Sequence, residues 1–218
     1  MMTMMEFAEQ IKAEVERFLG AGADYERAKQ RLTMKLINTE KNEELLKQVP
    51  NIPFHDLSIV FYLDLGENGQ DHTRRSAQIW NLFLEIWKVT PAQLYQDAKE
   101  SCPKLLPMVC TEIGEVLHMG PENLFYVLSN QKSINGAGVI LYPGCLKECA
   151  KKLGGDFYLL PSSVHEMLLL PCDEDKQNVL RLRDIVKQVN RTAVADEEYL
   201  SGHVYRYFQE RDQVEVVA

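Results

Sequence analysis

The sequence predicts an α+β fold whose mostly antiparallel sheet is built from successive β-hairpins, with helices packed against it. Extended segments rich in β-branched and aromatic residues come in pairs across short polar turns, as residues 56–65 and 74–80 do around GENGQDH. Helical patterns stand between these pairs rather than after each strand, which disfavours a doubly wound parallel sheet. Apolar residues make up 45% of the 218 positions, enough for a substantial core.

The first half of the chain predicts four helices separated by extended segments. Gly20 and Gly22 end the first helix, Pro50 ends the second, Asn81 caps the third, and Cys102-Pro103 end the fourth. Residues 31–38 could be a short strand or the end of a helix. The helices are expected over residues 5–19, 39–49, 82–87 and 91–102, and the other extended segments over residues 56–65 and 74–80.

The second half repeats this order of elements. A short helix over residues 111–118 precedes two strands, 124–130 and 137–142, and a helix that begins at Pro143. Strand, strand and helix thus follow one another twice. This order suggests a β-β-α internal duplication, although the two halves share little residue identity. A hairpin around Pro161-Ser162-Ser163, a helix and a final strand pair complete the chain. These last elements are expected over residues 156–160 and 165–170, 175–190, and 204–209 and 213–217.

The domain organisation follows from the absence of any linker rich in Pro, Gly or Ser. We expect one α+β domain over residues 1–218. Only the segment 103–120 could separate two lobes, which would then be residues 1–102 and 121–218.

Charge and composition exclude several classes of protein. The formal net charge of −8 argues against a uniformly basic, phosphate-backbone-binding surface, so no strong nucleic-acid signal is present. Apolar runs are far shorter than the roughly 20 residues of a membrane helix, and residues 1–20 lack a signal peptide's basic start. We therefore expect a cytoplasmic protein without membrane contact, its five cysteines reduced.

Three stretches carry a resemblance to a known family. They are KLINTEKNEELLKQVPNIPFHDLSIVFY, LYPGCLKECAKKLGGDFYLLPSSVHEMLLLP and VNRTAVADEEYLSGHVYRY. Together they resemble a family of uncharacterised bacterial proteins, a domain of unknown function common in anaerobic gut bacteria, over roughly residues 30–210. No activity is assigned to that family, so the resemblance implies an expectation about the fold and no chemistry.

The segment LPSSVHEMLLLP, residues 160–171, concentrates Ser162, Ser163, His165 and Glu166 ahead of an apolar strand. Strand alternation would place Ser163 and His165 on one face and Glu166 on the other, so His165 and Glu166 could not share a metal. Ser163 and His165 could form a nucleophile and base, but no GxSxG elbow accompanies them. A hairpin whose serine hydroxyls satisfy turn amides explains the same residues, and we prefer that interpretation.

A row of basic residues is expected on one exposed face of the helix that follows. Lys176, Arg183, Lys187 and Arg191 form this row and could hold phosphate or an acidic partner segment. In a chain this acidic, a solvated face balanced by nearby carboxylates is the plainer interpretation.

No metal site or cofactor is expected. The five histidines are scattered singly, without an HExxH or HxH motif, and Cys145 and Cys149 in CLKEC are better explained as core residues than as metal ligands.

These patterns favour a cytosolic binding or regulatory protein without catalysis, whose partner is an unknown protein or a small anionic ligand. Its contacts would be made by the hairpin tip, residues 162–165, and by Arg183, Lys187 and Arg191. Two alternatives stay open: a small Ser/His-dependent hydrolase at residues 161–166, and nucleotide or RNA binding by the basic face of residues 176–191.

Overall fold

The computed structural model describes Ala13 and residues 24–67, 74–112, 125–172 and 179–218. Its described part contains two antiparallel sheets with helices packed on them, which confirms the predicted α+β class. The first helix expected, residues 5–19, lies outside the described residues except for Ala13.

The elements follow one another in a fixed order along the chain. The strands are β1 Leu32–Asn38, β2 Asn51–Phe54, β3 Leu57–Glu67, β4 Arg74–Gln78, β5 Met108–Glu112, β6 Tyr126–Asn130, β7 Phe157–Ser163, β8 Glu166–Pro171, β9 Tyr205–Phe208 and β10 Gln213–Val216. The α-helices are α1 Tyr25–Ala28, α2 Glu43–Leu46, α3 Asn81–Trp87, α4 Pro91–Leu105, α5 Cys145–Leu153 and α6 Val179–Ala193. Short 3₁₀ helices are Lys29–Arg31, Glu40–Asn42, Gly136–Leu141 and Asp196–Glu198.

The first sheet is organised around the long strand β3. Strand β1 pairs with one edge of β3, while β2 and β4 pair in succession along the other edge. Side chains of β1 alternate between two faces, so Leu32, Met34 and Leu36 enter the main core while Ile37 joins a smaller cluster beside α2. Residues 31–38 are therefore a strand rather than a helix end.

The second sheet has the strand order β10-β9-β7-β8-β6-β5, and all of its pairs are antiparallel. Two of the three strand pairs predicted in this half are present as hairpins, β7–β8 and β9–β10. One face contributes Phe157, Leu159 and Met167 to the main core, and α6 covers the other face through a second apolar cluster. Because β7 is apolar on both faces and successive strand residues point to opposite faces, it contributes to both clusters.

Residues 137–142 do not form the expected strand; residues 136–141 form a 3₁₀ helix, and every one of them is buried. Gly136 and Gly138 explain this packing. A side chain at Gly136 would overlap the Ser129 hydroxyl and a backbone oxygen of the β7–β8 turn, and one at Gly138 would lie 3.1 Å from the Met34 carbonyl oxygen. The second strand-strand-helix unit thus lacks its second strand, and the suggested β-β-α duplication is wrong.

Several boundaries differ from those expected. Helix α4 continues through Pro103 to Leu105, because Leu94, Ala98 and Cys102 are buried in the main core and this packing outweighs the break that proline favours.

The segment after Thr39 is helical only to Leu46. Trp80, and not Asn81, is the N-cap of α3. Thr111 and Glu112, expected to begin a helix, belong to β5, and the rest of that expected helix lies outside the described residues.

The cysteines occur as free thiols, and Cys102, Cys145 and Cys149 are buried in the main core. This placement matches the expectation that the CLKEC cysteines are core residues. Among the described residues, no helix is long and apolar enough to cross a membrane.

Candidate ligand-binding site

Two neighbouring cavities lie where the first sheet approaches the C-terminal end of α6. The mixed cavity, of about 420 Å³, contains side chains of β1 and β3 together with the β7–β8 turn. The basic cavity, of about 540 Å³, lies beside α6. Lys41, Asp196 and Tyr199 line both cavities, which therefore share a wall. Each volume is typical of pockets that hold small molecules.

The mixed cavity has apolar walls and an ammonium group. Ile37, Leu45 and Val164 contribute aliphatic surface, and Tyr62 contributes a ring. Ile37 and Tyr62 reach it from the face of the first sheet that is turned away from the main core. Such walls suit the apolar body of a ligand.

Lys35 places its charge in this cavity from the middle of β1, where all six other residues of the strand are buried. Burial lowers the pKa of the Lys35 ammonium, and the negative charge of Glu198 partly opposes that effect. Within the described part of the chain, the Lys35 side chain forms no hydrogen bond or ion pair. Its three N–H donors are therefore available to a ligand.

The basic cavity is built on the last turns of α6. Lys187 and Arg191, four residues apart, lie on one face of the helix and both line the cavity. The Asn190 amide donates to the Ser201 carbonyl oxygen at 2.8 Å, which holds the helix against the following segment. Gly202 completes the wall, and a Cβ there would lie 3.3 Å from the Tyr199 hydroxyl oxygen and 3.6 Å from two carbons of the Lys187 side chain.

The wall shared by the cavities is an ion pair stacked on a ring. Lys41 Nζ lies 3.0 Å from Asp196 Oδ1 and 4.4 Å from the centroid of the Tyr199 ring. The Asp196 side chain is 97% exposed, so the pair is a solvent-screened one. Since the negative charge of Asp196 balances the positive charge of Lys41, Lys187 and Arg191 give the basic cavity its net positive charge.

A partly buried carboxylate holds the segment that forms the far wall. Asp56, in the two-residue turn between β2 and β3, accepts hydrogen bonds from the Ser201 hydroxyl at 2.7 Å, from His203 Nδ1 at 3.1 Å and from the Tyr205 hydroxyl. Burial alone would raise the pKa of Asp56, but these hydrogen bonds outweigh it and hold the pKa below its usual value. The cluster joins the first sheet to the segment that carries Gly202.

Ser201, His203 and Asp56 have the composition of a catalytic triad but a different geometry. Ser201 is fully buried, and its hydroxyl donates to the carboxylate. His203 approaches both partners through the same nitrogen, Nδ1, whereas a triad uses Nδ1 for the acid and Nε2 for the nucleophile. The arrangement satisfies buried polar groups and positions a turn.

The polar hairpin has a turn at Val164 and His165, so Pro161, Ser162 and Ser163 lie in strand β7 and not in the turn as expected. The register shifts between Pro161 and Ser163, and His165 is therefore outside the strand alternation used to predict its face. Glu166 accepts from the Ser162 hydroxyl at 3.1 Å, while His165 Nε2 lies 3.5 Å from Glu198 Oε1. His165 and Glu166 thus have separate partners.

Neither serine hydroxyl bonds to the imidazole in this fully described hairpin. His165 Nδ1 accepts from the Asn135 N–H at 3.2 Å, and Ser163 Oγ accepts from the His165 backbone N–H at 3.1 Å. The turn itself is tied down, because Val164 is bonded through both its N–H and its carbonyl oxygen. Of the hairpin tip, only Val164 lines either cavity.

The basic row is divided by the structure. Lys187 and Arg191 line the basic cavity, but Arg183 lines neither cavity, and Lys176 lies outside the described residues. Lys35 and Lys41 were missed by sequence reasoning. Lys35 had a local signal, a single charged residue in the apolar strand LTMKLIN, whereas Lys41 had none.

Among the described residues, no group of three or more His, Cys, Asp or Glu side chains could hold a metal ion. The fold and the site together define an α+β protein with a pair of cavities, one of them cationic, at the junction of its two sheets. The chain belongs to a family of unknown function, DUF5688, whose sequence model matches residues 1–209. No curated protein and no solved structure matches the chain.

Proposed function

We propose that this chain is a non-catalytic binding protein of the bacterial cytosol that holds a small anion in the basic cavity. One observation carries the proposal: three cationic side chains, Lys41, Lys187 and Arg191, face a single carboxylate, Asp196. In the described part of the chain, the side chains of Lys187 and Arg191 have no hydrogen bond or ion pair with the protein. Their donors can therefore bind an anionic group without breaking an existing contact.

The contacts of the Ser/His hairpin support a binding role over the hydrolase alternative. A hydrolase would need a serine hydroxyl within hydrogen-bond reach of the imidazole. Here both ring nitrogens of His165 already face other groups, Asn135 and Glu198. The hairpin contributes Val164 to a cavity wall and no nucleophile.

The experiment is a calorimetric titration of the protein with pyrophosphate. We expect Lys187→Met and Arg191→Met each to weaken binding by about tenfold, since a charge-assisted hydrogen bond contributes about 1.5–3 kcal/mol and 1.4 kcal/mol is tenfold in affinity. Lys151→Met is the matched control, because Lys151 is an exposed helical lysine outside both cavities. Absence of binding, or equal losses in all three variants, would overturn the proposal.

A further inference from the structure

The mixed cavity differs from its neighbour in charge. Its two cations, Lys35 and Lys41, are matched by two carboxylates, Asp196 and Glu197. A second anionic group would gain no net attraction there. A neutral group that offers both hydrogen-bond acceptors and donors would bind favourably there, because the ammonium groups donate and the carboxylates accept.

The walls of the mixed cavity select the shape of that group. Tyr62 and Tyr199 present rings, and Ile37 and Leu45 add aliphatic surface. Planar aromatic groups are held by stacking and apolar contact of this kind. Polar edges and an apolar face are the two properties of a heterocyclic base.

The shared wall brings the two cavities into one binding surface. A ligand lying along Lys41, Asp196 and Tyr199 would reach Lys187 and Arg191 at one end and Lys35 at the other. We propose that the two cavities form one site for a free mononucleotide, with the phosphate in the basic cavity and the base in the mixed cavity. This inference rests on the proposed anion site and adds the class of ligand.

Lys35 is the specificity-determining residue of this site. Its side chain has no hydrogen bond or ion pair within the described chain, and the mixed cavity is the one it lines. Its ammonium group donates to an acceptor on the base, whereas Lys187 and Arg191 bind the phosphate that all nucleotides share. Loss of Lys35 therefore weakens binding of the base and leaves binding of the phosphate unchanged.

The test compares AMP, GMP, CMP and UMP with ribose 5-phosphate, which keeps the sugar and phosphate and lacks the base. In calorimetric titrations we expect at least one mononucleotide to bind about tenfold more tightly than ribose 5-phosphate, through stacking and polar contacts to the base. Lys35→Met should remove about tenfold of that mononucleotide's affinity and leave ribose 5-phosphate unchanged. Lys187→Met should weaken the binding of both the mononucleotide and ribose 5-phosphate.

The outcomes separate this inference from the proposed function. If ribose 5-phosphate and all four mononucleotides bind equally, or if Lys35→Met changes nothing, the mononucleotide assignment is wrong while the anion site stands. If neither pyrophosphate nor ribose 5-phosphate binds, the anion site itself is wrong. A ten-nucleotide single-stranded RNA that binds more tightly than any mononucleotide, with steep salt dependence, would also contradict a free mononucleotide as ligand.

Unchanged ribose 5-phosphate affinity in Lys35→Met also reports that the variant is folded. Gly202→Asp and Gly202→Asn supply a second comparison, because the two side chains differ in charge and hardly in size. Gly202→Asp should weaken the binding of ribose 5-phosphate and of the mononucleotide alike. Gly202→Asn should weaken the binding of each ligand less than Gly202→Asp does. Equal behaviour of the two variants would contradict a phosphate bound beside Lys187.

Discussion

Replacing Asp56 by alanine removes the acceptor that three side chains share. Ser201, His203 and Tyr205 all donate to this carboxylate, from a segment about 145 residues further along the chain. The backbone of the turn keeps its own bond, since the Asp56 carbonyl oxygen accepts from the Thr39 N–H at 3.1 Å. The variant therefore tests the carboxylate and not the turn.

The size of the effect follows from the burial of the donors. Ser201 is 0% exposed and Tyr205 is 1% exposed, so both hydroxyl groups would lose their carboxylate acceptor at buried positions. The His203 side chain is 48% exposed and can turn to solvent. Since each buried donor left unpaired costs about 1–3 kcal/mol, we expect Asp56→Ala to lower the free energy of unfolding by about 2–6 kcal/mol.

The stabilisation should also depend on pH in a defined direction. The hydrogen bonds hold the pKa of Asp56 in the folded protein below its usual value, despite the opposing effect of burial. Such a group stabilises the fold fully above the unfolded pKa of about 3.9, and this contribution is lost as pH falls through the lower, folded pKa. The difference between wild type and Asp56→Ala should therefore shrink below about pH 4.

Urea denaturation at pH 7 and pH 3, followed by circular dichroism, measures both effects. Asp184→Ala is the control, because Asp184 is exposed on α6 and should change stability by no more than about 0.5 kcal/mol. A loss below about 1 kcal/mol for Asp56→Ala, or the same loss at both pH values, would refute this account of the cluster.

Three further predictions concern other contacts. Arg74→Met should cost up to about 3–5 kcal/mol in urea denaturation, because it removes the two-pronged partner at 2.7–2.8 Å from the buried Asp64 carboxylate and leaves it with Arg31 at 3.8 Å and the Gly66 N–H; adding Asp64→Asn should recover part of that loss. Gly136→Ala should cost about 1–3 kcal/mol or more, since its Cβ would overlap neighbouring atoms, whereas Gly202→Ala should be mild; equal losses would contradict the packing described. Gly202→Asp should weaken pyrophosphate binding by placing a carboxylate beside Lys187, and calorimetry that finds Gly202→Asn equally damaging would contradict an anion bound beside Lys187.

Much of the fold could be predicted because strand and helix periods are local. The short apolar segment DFYLL and the turn residues between paired strands indicate strands that the structure confirms, whereas LTMKLIN, which could have been a strand or a helix end, is a strand. Residues 137–142 could not be assigned this way. A short apolar run is buried on all sides whether it is a strand or a helix, so only the close approach permitted by Gly136 and Gly138 decides between them.

The candidate site was only partly predictable for a different reason. The spacing of Lys187 and Arg191 on one helix face is a local property, and both do line a cavity. Lys35 and Lys41 reach the same place from β1 and the segment after it, about 150 residues earlier. The Asp56 cluster likewise joins positions whose proximity depends on the packing of the two sheets, which no local pattern encodes.

A small anion bound beside Lys187 and Arg191 can be located by two-dimensional ¹H–¹⁵N NMR during a pyrophosphate titration. We expect saturable amide shifts concentrated in residues 187–202 and around Lys41. Shifts spread over exposed lysines elsewhere, such as Lys151, with no maximum at the basic cavity, would contradict this binding site.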